Sequence, residues 1–304
     1  MTSRLRTWRW HVAKALSDLL DRVVRVPGRR FYDLHLQAAA LRHRKGRNTI
    51  KVKAGKQVIR FRVPTARALW RAETLFTKEP ATIAWIDSFD ETDVFWDIGA
   101  NTGIYSLYAA KIQGIFTLAF EPAAFNHALL CDNVRLNGLG ERVAAYSFAF
   151  SDRSRLGQLS IADDEPGAAV ASVADASVGP IKQPVVVFSI DDFRQRFAPP
   201  FPTHIKIDVD GVEFEILDGA RATLADPRLK SLLIEVDERD GSRPGLIDDT
   251  LGEFGFRLTE VQGSPLAPNS ASRNRIYRRA RQASSRVADP SCSPTASKTT
   301  RSSA

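Results

Sequence analysis

Two short runs carry the residues best suited to chemistry. The first is Asp97-Ile98-Gly99-Ala100-Asn101-Thr102-Gly103, an acid followed by two glycines. Glycines at a strand-to-helix turn let the backbone pass close to a ligand without a Cβ in the way. Dinucleotide-binding turns use G-x-G-x-x-G and rest the phosphate on the helix N-terminus. Here the glycines are spaced G-x-x-x-G, and the leading acid would repel pyrophosphate. An acid in that place suits a cofactor bearing an ammonium and a sulfonium, which favours S-adenosylmethionine over a nicotinamide dinucleotide. A tight turn with no ligand is the bland alternative. Asp97, Gly99, Asn101 and Gly103 are therefore the first candidate cofactor residues. Glu121 ends the next apolar run and is placed to accept both hydroxyls of an adenosine ribose. Alone, it would read as an acid at a helix start before Pro122. Ser151 and Asp152 follow the third apolar run, where the adenine would lie. Asp152 could accept the exocyclic amine or serve as a cap.

The second run is Lys206-Ile207-Asp208-Val209-Asp210-Gly211-Val212-Glu213, three acids at the carboxyl end of an apolar strand. Open α/β sheets bind ligands in the crevice at that end. An alcohol is a weak nucleophile at neutral pH and benefits from a general base. Asp208 is the first candidate for that base or for orienting the acceptor, with Asp210 and Glu213 next. His204, just before the strand, is an alternative base, its ordinary reading being an exposed histidine at a strand edge. Spacing alone does not show whether Asp208, Asp210 and Glu235 converge on a cation, and no metal site is assigned.

The elements that must position these residues follow from periodicity. From Asp93 onward, short apolar runs alternate with helical segments, the pattern of a mostly parallel sheet covered by helices. Strands are expected at Val94–Ile98, Phe116–Phe120, Val143–Phe150, Val185–Ile190, Ile205–Val209 and Leu232–Val236. Helices are expected at Ile104–Ile112, Ala123–Leu136, Asp192–Phe197, Val212–Leu224 and Leu246–Phe254. Phe256–Val261 and Arg275–Arg278 could close the sheet as an antiparallel pair. The stretch from Leu156 to Pro184 is irregular, with room for two short strands. Upstream, Lys51–Val63 reads as one or two strands and Arg67–Asp87 as a helix.

In combination, these motifs resemble the FkbM-type methyltransferase family. The resemblance rests on the Asp97–Gly103 loop, Glu121-Pro122, Asn133 and Asn137. It extends through Ser189-Ile190-Asp191-Asp192-Phe193 and Lys206–Glu213 to Leu217, Gly219 and Ala220, and covers roughly Asp93–Arg279. One departure is Asp210, where the family commonly has Glu; the charge is kept but about one methylene of reach is lost. The resemblance implies a Rossmann-like class I methyltransferase sheet, mostly parallel with an antiparallel last strand. It also implies O-methylation of a hydroxyl, often on a sugar or polyketide-like product. The expected acceptor is thus a small molecule or glycan: a glycan, glycolipid or secondary metabolite. Two other classes remain open: a nicotinamide-dependent oxidoreductase on a similar sheet, and a non-catalytic cofactor-binding protein.

Composition sets the frame. The chain has 304 residues, 43% of them hydrophobic, enough for one large α/β domain with appendages. No stretch approaches the roughly 20 apolar residues that span a bilayer. Cys131 and Cys292 offer no disulfide framework, and a cytoplasmic protein is expected. The net charge of +8 lies wholly in residues 1–50, which alone carry +9. There Leu5, Trp8, Val12, Leu16, Leu19 and Val23 recur at steps of three and four, one face of an amphipathic helix. This helix either packs on the catalytic body or makes a peripheral membrane contact through residues 1–30. No specific nucleic-acid partner is expected, since no recognition motif accompanies the charge. The expected organisation is a basic helical extension at 1–50, a strand and helix cap at 51–92, a methyltransferase domain at 93–279, and a disordered Ser/Thr/Arg tail at 280–304.

Overall fold

The computed structural model describes residues 49–168, 171–172 and 179–280. The basic extension at 1–48 and the tail from 281 lie outside the described residues. So do the expectations placed on them: the membrane contact and the disorder of the tail.

The described chain opens with an antiparallel hairpin, β1 (Thr49–Ala54) and β2 (Gln57–Arg62), then α1 (Ala66–Glu73) and α2 (Pro80–Asp87). Strand β3 (Val94–Ile98), helix α3 (Ile104–Ile112), strand β4 (Phe116–Phe120), helix α4 (Ala124–Leu136) and strand β5 (Val143–Tyr146) form the first half of the main sheet. A side sheet follows, made of β6 (Ala149–Phe150), β7 (Arg155–Ile161), β8 (Ala171–Ser172) and β9 (Ile181–Phe188). The chain then returns through α5 (Ile190–Phe197), β10 (His204–Ile207), α6 (Glu213–Asp218), α7 (Arg221–Ala225), β11 (Ser231–Asp237), α8 (Arg243–Glu253), β12 (Phe256–Gln262) and β13 (Ser272–Arg279).

The main sheet has seven strands in the order β12-β13-β11-β10-β3-β4-β5. The five from β11 to β5 are parallel, and β13 and β12 close it antiparallel. This is the Rossmann-like arrangement expected, with β10 and β3 adjacent at its centre. Side chains of a strand alternate between faces, and two apolar layers result. Phe95, Leu233 and Ile276 face the layer formed with α1 to α4. Trp96, Ile98, Ile205, Ile207, Leu232 and Ile234 face the layer formed with α5 to α8. Trp85 and Trp96 are 1% and 0% exposed; truncating either to Ala costs about 3–5 kcal/mol.

Four sequence expectations change. The segment Arg67–Asp87 is two helices, because Pro80 lacks an N–H and starts a new helix at its N-terminus. Val212–Leu224 is likewise broken at Gly219-Ala220, where a Cβ on Gly219 would lie 2.3 Å from the Ser151 carbonyl oxygen. The run Val143–Phe150 divides between two sheets, β5 in the main one and β6 in the side one. His204 is 4% exposed, not a surface histidine. Its Nε2 meets Asp93 Oδ2 at 3.0 Å, its Nδ1 meets Ser231 Oγ at 2.6 Å, and Phe89 stacks on its ring at 3.7 Å. It sits at the amino end of β10, opposite the ligand-binding rim, and is withdrawn as a candidate base.

Several motif residues hold this frame. Ser189 caps α5 by accepting from the Asp192 N–H. Asp191 accepts from the N–H groups of Ala222 and Thr223 and so caps α7. Asn133 donates to Thr102 O and accepts from Arg62 N–H, and Asn137 bonds both polar groups of the Arg60 backbone. Hairpin, α4 and glycine loop are thereby fixed to one another.

Candidate active site

Gly99, Asn101 and Gly103 all have left-handed backbone, with φ of 80°, 51° and 81°. A Cβ on Gly99 would lie 1.9 Å from the Asp208 carbonyl oxygen, so only glycine lets this loop rest against the end of β10. A Cβ on Gly103 would lie 2.3 Å from Leu130 Cδ1, at the packing of α3 on α4. The loop amides are all engaged within the protein. Gly99 and Ala100 donate to Phe120 O, Asn101 to Glu121 Oε2, Thr102 to Asn101 Oδ1 and Gly103 to Ala100 O. A phosphate nest needs amides that point outward and lack partners; this loop offers none.

Asp97 is 1% exposed and accepts from Ser106 Oγ at 2.5 Å through Oδ2. Its Oδ1 has no hydrogen-bond partner. Burial raises its pKa against the pull of the Lys206 ammonium. A buried acceptor with an unmet oxygen, beside a loop without free donors, fits a cationic ligand. That matches the chemistry of S-adenosylmethionine, not of a pyrophosphate.

Glu121 is also buried. Its oxygens accept from the N–H groups of Asn101 and Ala123, both at 2.8 Å, and burial lifts its pKa to about 7. Next to it lies a narrow apolar slot lined by Gly99, Phe120, Pro122, Phe150, Leu159 and Val212. Ser151 and Asp152 stand at the end of β6 but pair with each other and with Arg155. That contact holds Asp152 below the ordinary carboxylate range, burial being outweighed by Ser151 and Arg155. Over Asn101 lies the strap Pro166-Gly167-Ala168. It accepts from Asn101 Nδ2 and Asn126 Nδ2 at Ala168 O, from Arg71 at Gly167 O and from Thr65 at Pro166 O.

The second run is split by the structure. Asp208 stands one residue beyond β10, its N–H bonded to Ile98 O, and its side chain is 28% exposed. Lys206, 1% exposed, donates to Asp208 Oδ2 at 2.5 Å. Lys206 pairs in register with Asp97 of β3, so one buried ammonium faces both carboxylates. Burial would raise the Asp208 pKa, but Lys206, Lys78 and Arg71 together hold it well below the usual carboxylate range. Glu213 is 4% exposed, accepts from Gly211 N–H at 3.0 Å and lies 3.5 Å from Arg243. Burial lifts its pKa to about 7. Glu213 thus closes the turn that presents Asp208, while Asp210 lies on the exposed rim of the turn. Asp210 and Glu213 share a cleft of about 280 Å³ with Glu235, Asp237, Asp240 and Arg243.

Four further residues border these acids. Lys206 has a signal in the sequence, a lysine between Ile205 and Ile207 on a buried strand. Glu79, 3% exposed, pairs with Lys78 and accepts from the Tyr105 hydroxyl at 2.9 Å. Tyr105 in turn presents its ring 5.2 Å from Lys206 Nζ. Arg71 secures the strap. Their contacts cross long sequence separations, and no local pattern marks them. Among the described residues no group of His, Cys, Asp and Glu is arranged to hold a metal ion.

Sheet order, glycine loop and acid-lined rim define a Rossmann-like methyltransferase. Residues 97–258 match the methyltransferase FkbM domain, and the chain belongs to that family. Its cofactor is S-adenosylmethionine. A curated relative, the hexuronic acid methyltransferase AglP of Haloferax volcanii, is 27% identical over 161 residues, which are 53% of this chain and 63% of the relative. The match therefore spans less than two thirds of that protein. Among solved structures, P. horikoshii TYW2 in complex with MeSAdo aligns at TM-score 0.43 and 12% identity, covering 76% of this chain and 71% of that one. Precorrin-6y C5,15-methyltransferase from Geobacter metallireducens aligns at TM-score 0.41 and 15% identity, covering 68% and 91%. At these scores the structural likeness adds nothing to the family match. No helix among the described residues is long and apolar enough to cross a membrane.

Proposed function

We propose that the protein moves a methyl group from S-adenosylmethionine to a hydroxyl of a glycan, glycolipid or secondary metabolite. The observation that carries this reading is the contact of Gly99 with Asp208. It puts the cofactor loop and the acid-lined rim within one backbone thickness of each other. The likeness to AglP, a hexuronic acid methyltransferase, supports a carbohydrate acceptor over other classes.

Bound at the loop, the cofactor supplies an electrophilic methyl carbon on a sulfonium. Asp97 faces the positive charge, and Glu121 accepts the ribose hydroxyls. The Phe120–Phe150 slot takes the purine, with Ser151 and Asp152 at its edge. Asp208, kept ionised by Lys206, accepts a hydrogen bond from the acceptor hydroxyl and aims it at the methyl carbon. Placing the reacting atoms near 3 Å supplies much of the rate in such a displacement. Glu213 holds the turn, and Asp210 meets the acceptor at the rim. Strap and side chains exclude water, which suits a reaction in which charge separation falls.

The reading is tested with tritiated S-adenosylmethionine and a panel of neutral sugars and uronic acids. Label should pass to a sugar oxygen, and Asp208→Asn should slow transfer about 100-fold or more, of the order expected for losing a positioned acid–base or orienting group. Transfer to no member of the panel, with donor bound, would remove the carbohydrate acceptor.

A further inference from the structure

We propose that Glu235 is the general base of methyl transfer, leaving Asp208 to hold the acceptor. This rests on the methyltransferase reading and assigns the proton, which that reading leaves open.

The placement follows from strand register. Strands β10 and β11 run parallel with Lys206 beside Leu233 and Ile207 beside Ile234. Asp208 and Glu235 are the next residue of each chain at the carboxyl rim; Asp208 meets the Lys206 side chain, Glu235 shares the face of Leu233, and the Asp208 charge is the largest influence on Glu235. Across β11, Glu235 pairs with Asn274 of β13. Asn274 is 5% exposed, donates to Thr82, and has an Oδ1 with no partner. The rim therefore reads Gly99, Asp208, Glu235, Asn274, and Glu235 also lines the cleft of about 280 Å³ beside Val209, Asp210 and Glu213. An acceptor entering that cleft meets Glu235 on its way to the methyl carbon.

The two neighbouring acids have opposite surroundings. Asp208 is bonded to a buried lysine, which ties up one oxygen and makes it a weak proton acceptor. Glu235 has no such bond. It faces Asp208 and Lys206 from β10, Lys78 and Glu79 from the start of α2, and Asp210, Glu213, Asp237, Asp240 and Arg243 around the cleft. The Asp208 charge, then burial, lifts its pKa to about 8, near the working pH where a general base is most effective. Two carboxyls pushed apart by their environments mark an acid–base assignment. As the acceptor oxygen bonds to the methyl carbon and the carbon–sulfur bond breaks, sulfur keeps the electron pair. The hydroxyl proton passes to the Glu235 carboxylate. A sulfonium seated beside Asp208 draws the Glu235 proton off beforehand, so donor binding readies the base.

Calorimetric titration of the full chain in buffers of different ionisation enthalpy counts that proton. Near pH 8, about half the protein carries it before binding. S-adenosylmethionine should then release a few tenths of a proton more than S-adenosylhomocysteine, whose sulfur is neutral. The difference should vanish in Glu235→Gln, and in Asp208→Asn, where Glu235 is already ionised. On any panel sugar that the wild type methylates, Glu235→Gln should lower kcat about 100-fold and remove its rise with pH. Equal proton counts for the two nucleosides in the wild type, or a difference that survives in Glu235→Gln, would overturn the proposal alone. Binding of neither nucleoside would overturn the methyltransferase reading beneath it.

Discussion

Strand β10 carries a buried charged cluster at each end, and the two are built differently. At the amino end, His204 bonds both ring nitrogens, to Asp93 and Ser231, and stacks on Phe89. Asp93 also pairs with Lys230 at 2.7 Å. Every polar atom there has a partner, and the His204 pKa is lowered by burial despite Asp93. At the carboxyl end, one ammonium, Lys206, serves Asp97 and Asp208, with Glu79 and Glu235 close by. Asp97 Oδ1 and Asn274 Oδ1 go without partners. Buried polar groups are ordinarily satisfied, and exceptions ask for an explanation. The satisfied end belongs to the frame. The unsatisfied end is where a ligand would complete the hydrogen bonding.

Lys206→Met breaks this contrast hardest. It removes the buried ammonium between Asp97 and Asp208, leaving only Lys78 and Arg71 to act on Asp208, and loss of about 3–5 kcal/mol is expected in urea unfolding. A loss below about 1 kcal/mol would mean that Lys206 is not the centre of the cluster. His204→Phe should cost about 1–3 kcal/mol, from the unpaired Asp93 and Ser231, while affinity for S-adenosylmethionine stays unchanged. A tenfold fall in donor affinity, with the fold intact, would show that the two ends are not separate.

A further expected effect concerns pH. Glu235 has a folded pKa of about 8, above its ordinary value of 4.5. The folded state therefore holds a proton that the unfolded chain releases. The stability this lends is complete below the unfolded value and fades as pH rises through about 8. Glu235→Gln carries no such dependence. Its melting temperature should gain on the wild type by about ten degrees between pH 5 and pH 9; parallel curves would show that Glu235 titrates normally.

Much of the frame was legible in the sequence because it rests on local pattern. The β3, β4 and β11 runs and the closing antiparallel pair were readable from apolar periodicity, and the Asp97–Gly103 loop from its glycines. The acids of the second run stand out in the sequence, but not the different surroundings of Asp208, Asp210 and Glu213. That depends on Lys206 pointing to the same face as Asp97 and on Glu213 turning back to Gly211, which are facts of register and tertiary contact. Glu79, Tyr105 and the strap at 166–168 come from segments distant in the chain. Pro80 is a helix breaker visible in the sequence, and it divides Arg67–Asp87 into two helices. His204 was misplaced because a polar residue at a strand end looks the same in sequence whether it faces solvent or a buried aspartate.

Whether the Asp97–Gly103 loop seats a cationic methyl donor is tested most directly by titration of the full chain and of Asp97→Asn with S-adenosylmethionine and with NAD. The wild type should bind S-adenosylmethionine and not NAD, and Asp97→Asn should weaken that binding about 10- to 100-fold, of the order of one charge-assisted hydrogen bond. Binding of NAD alone, or full S-adenosylmethionine affinity in Asp97→Asn, would contradict that seating.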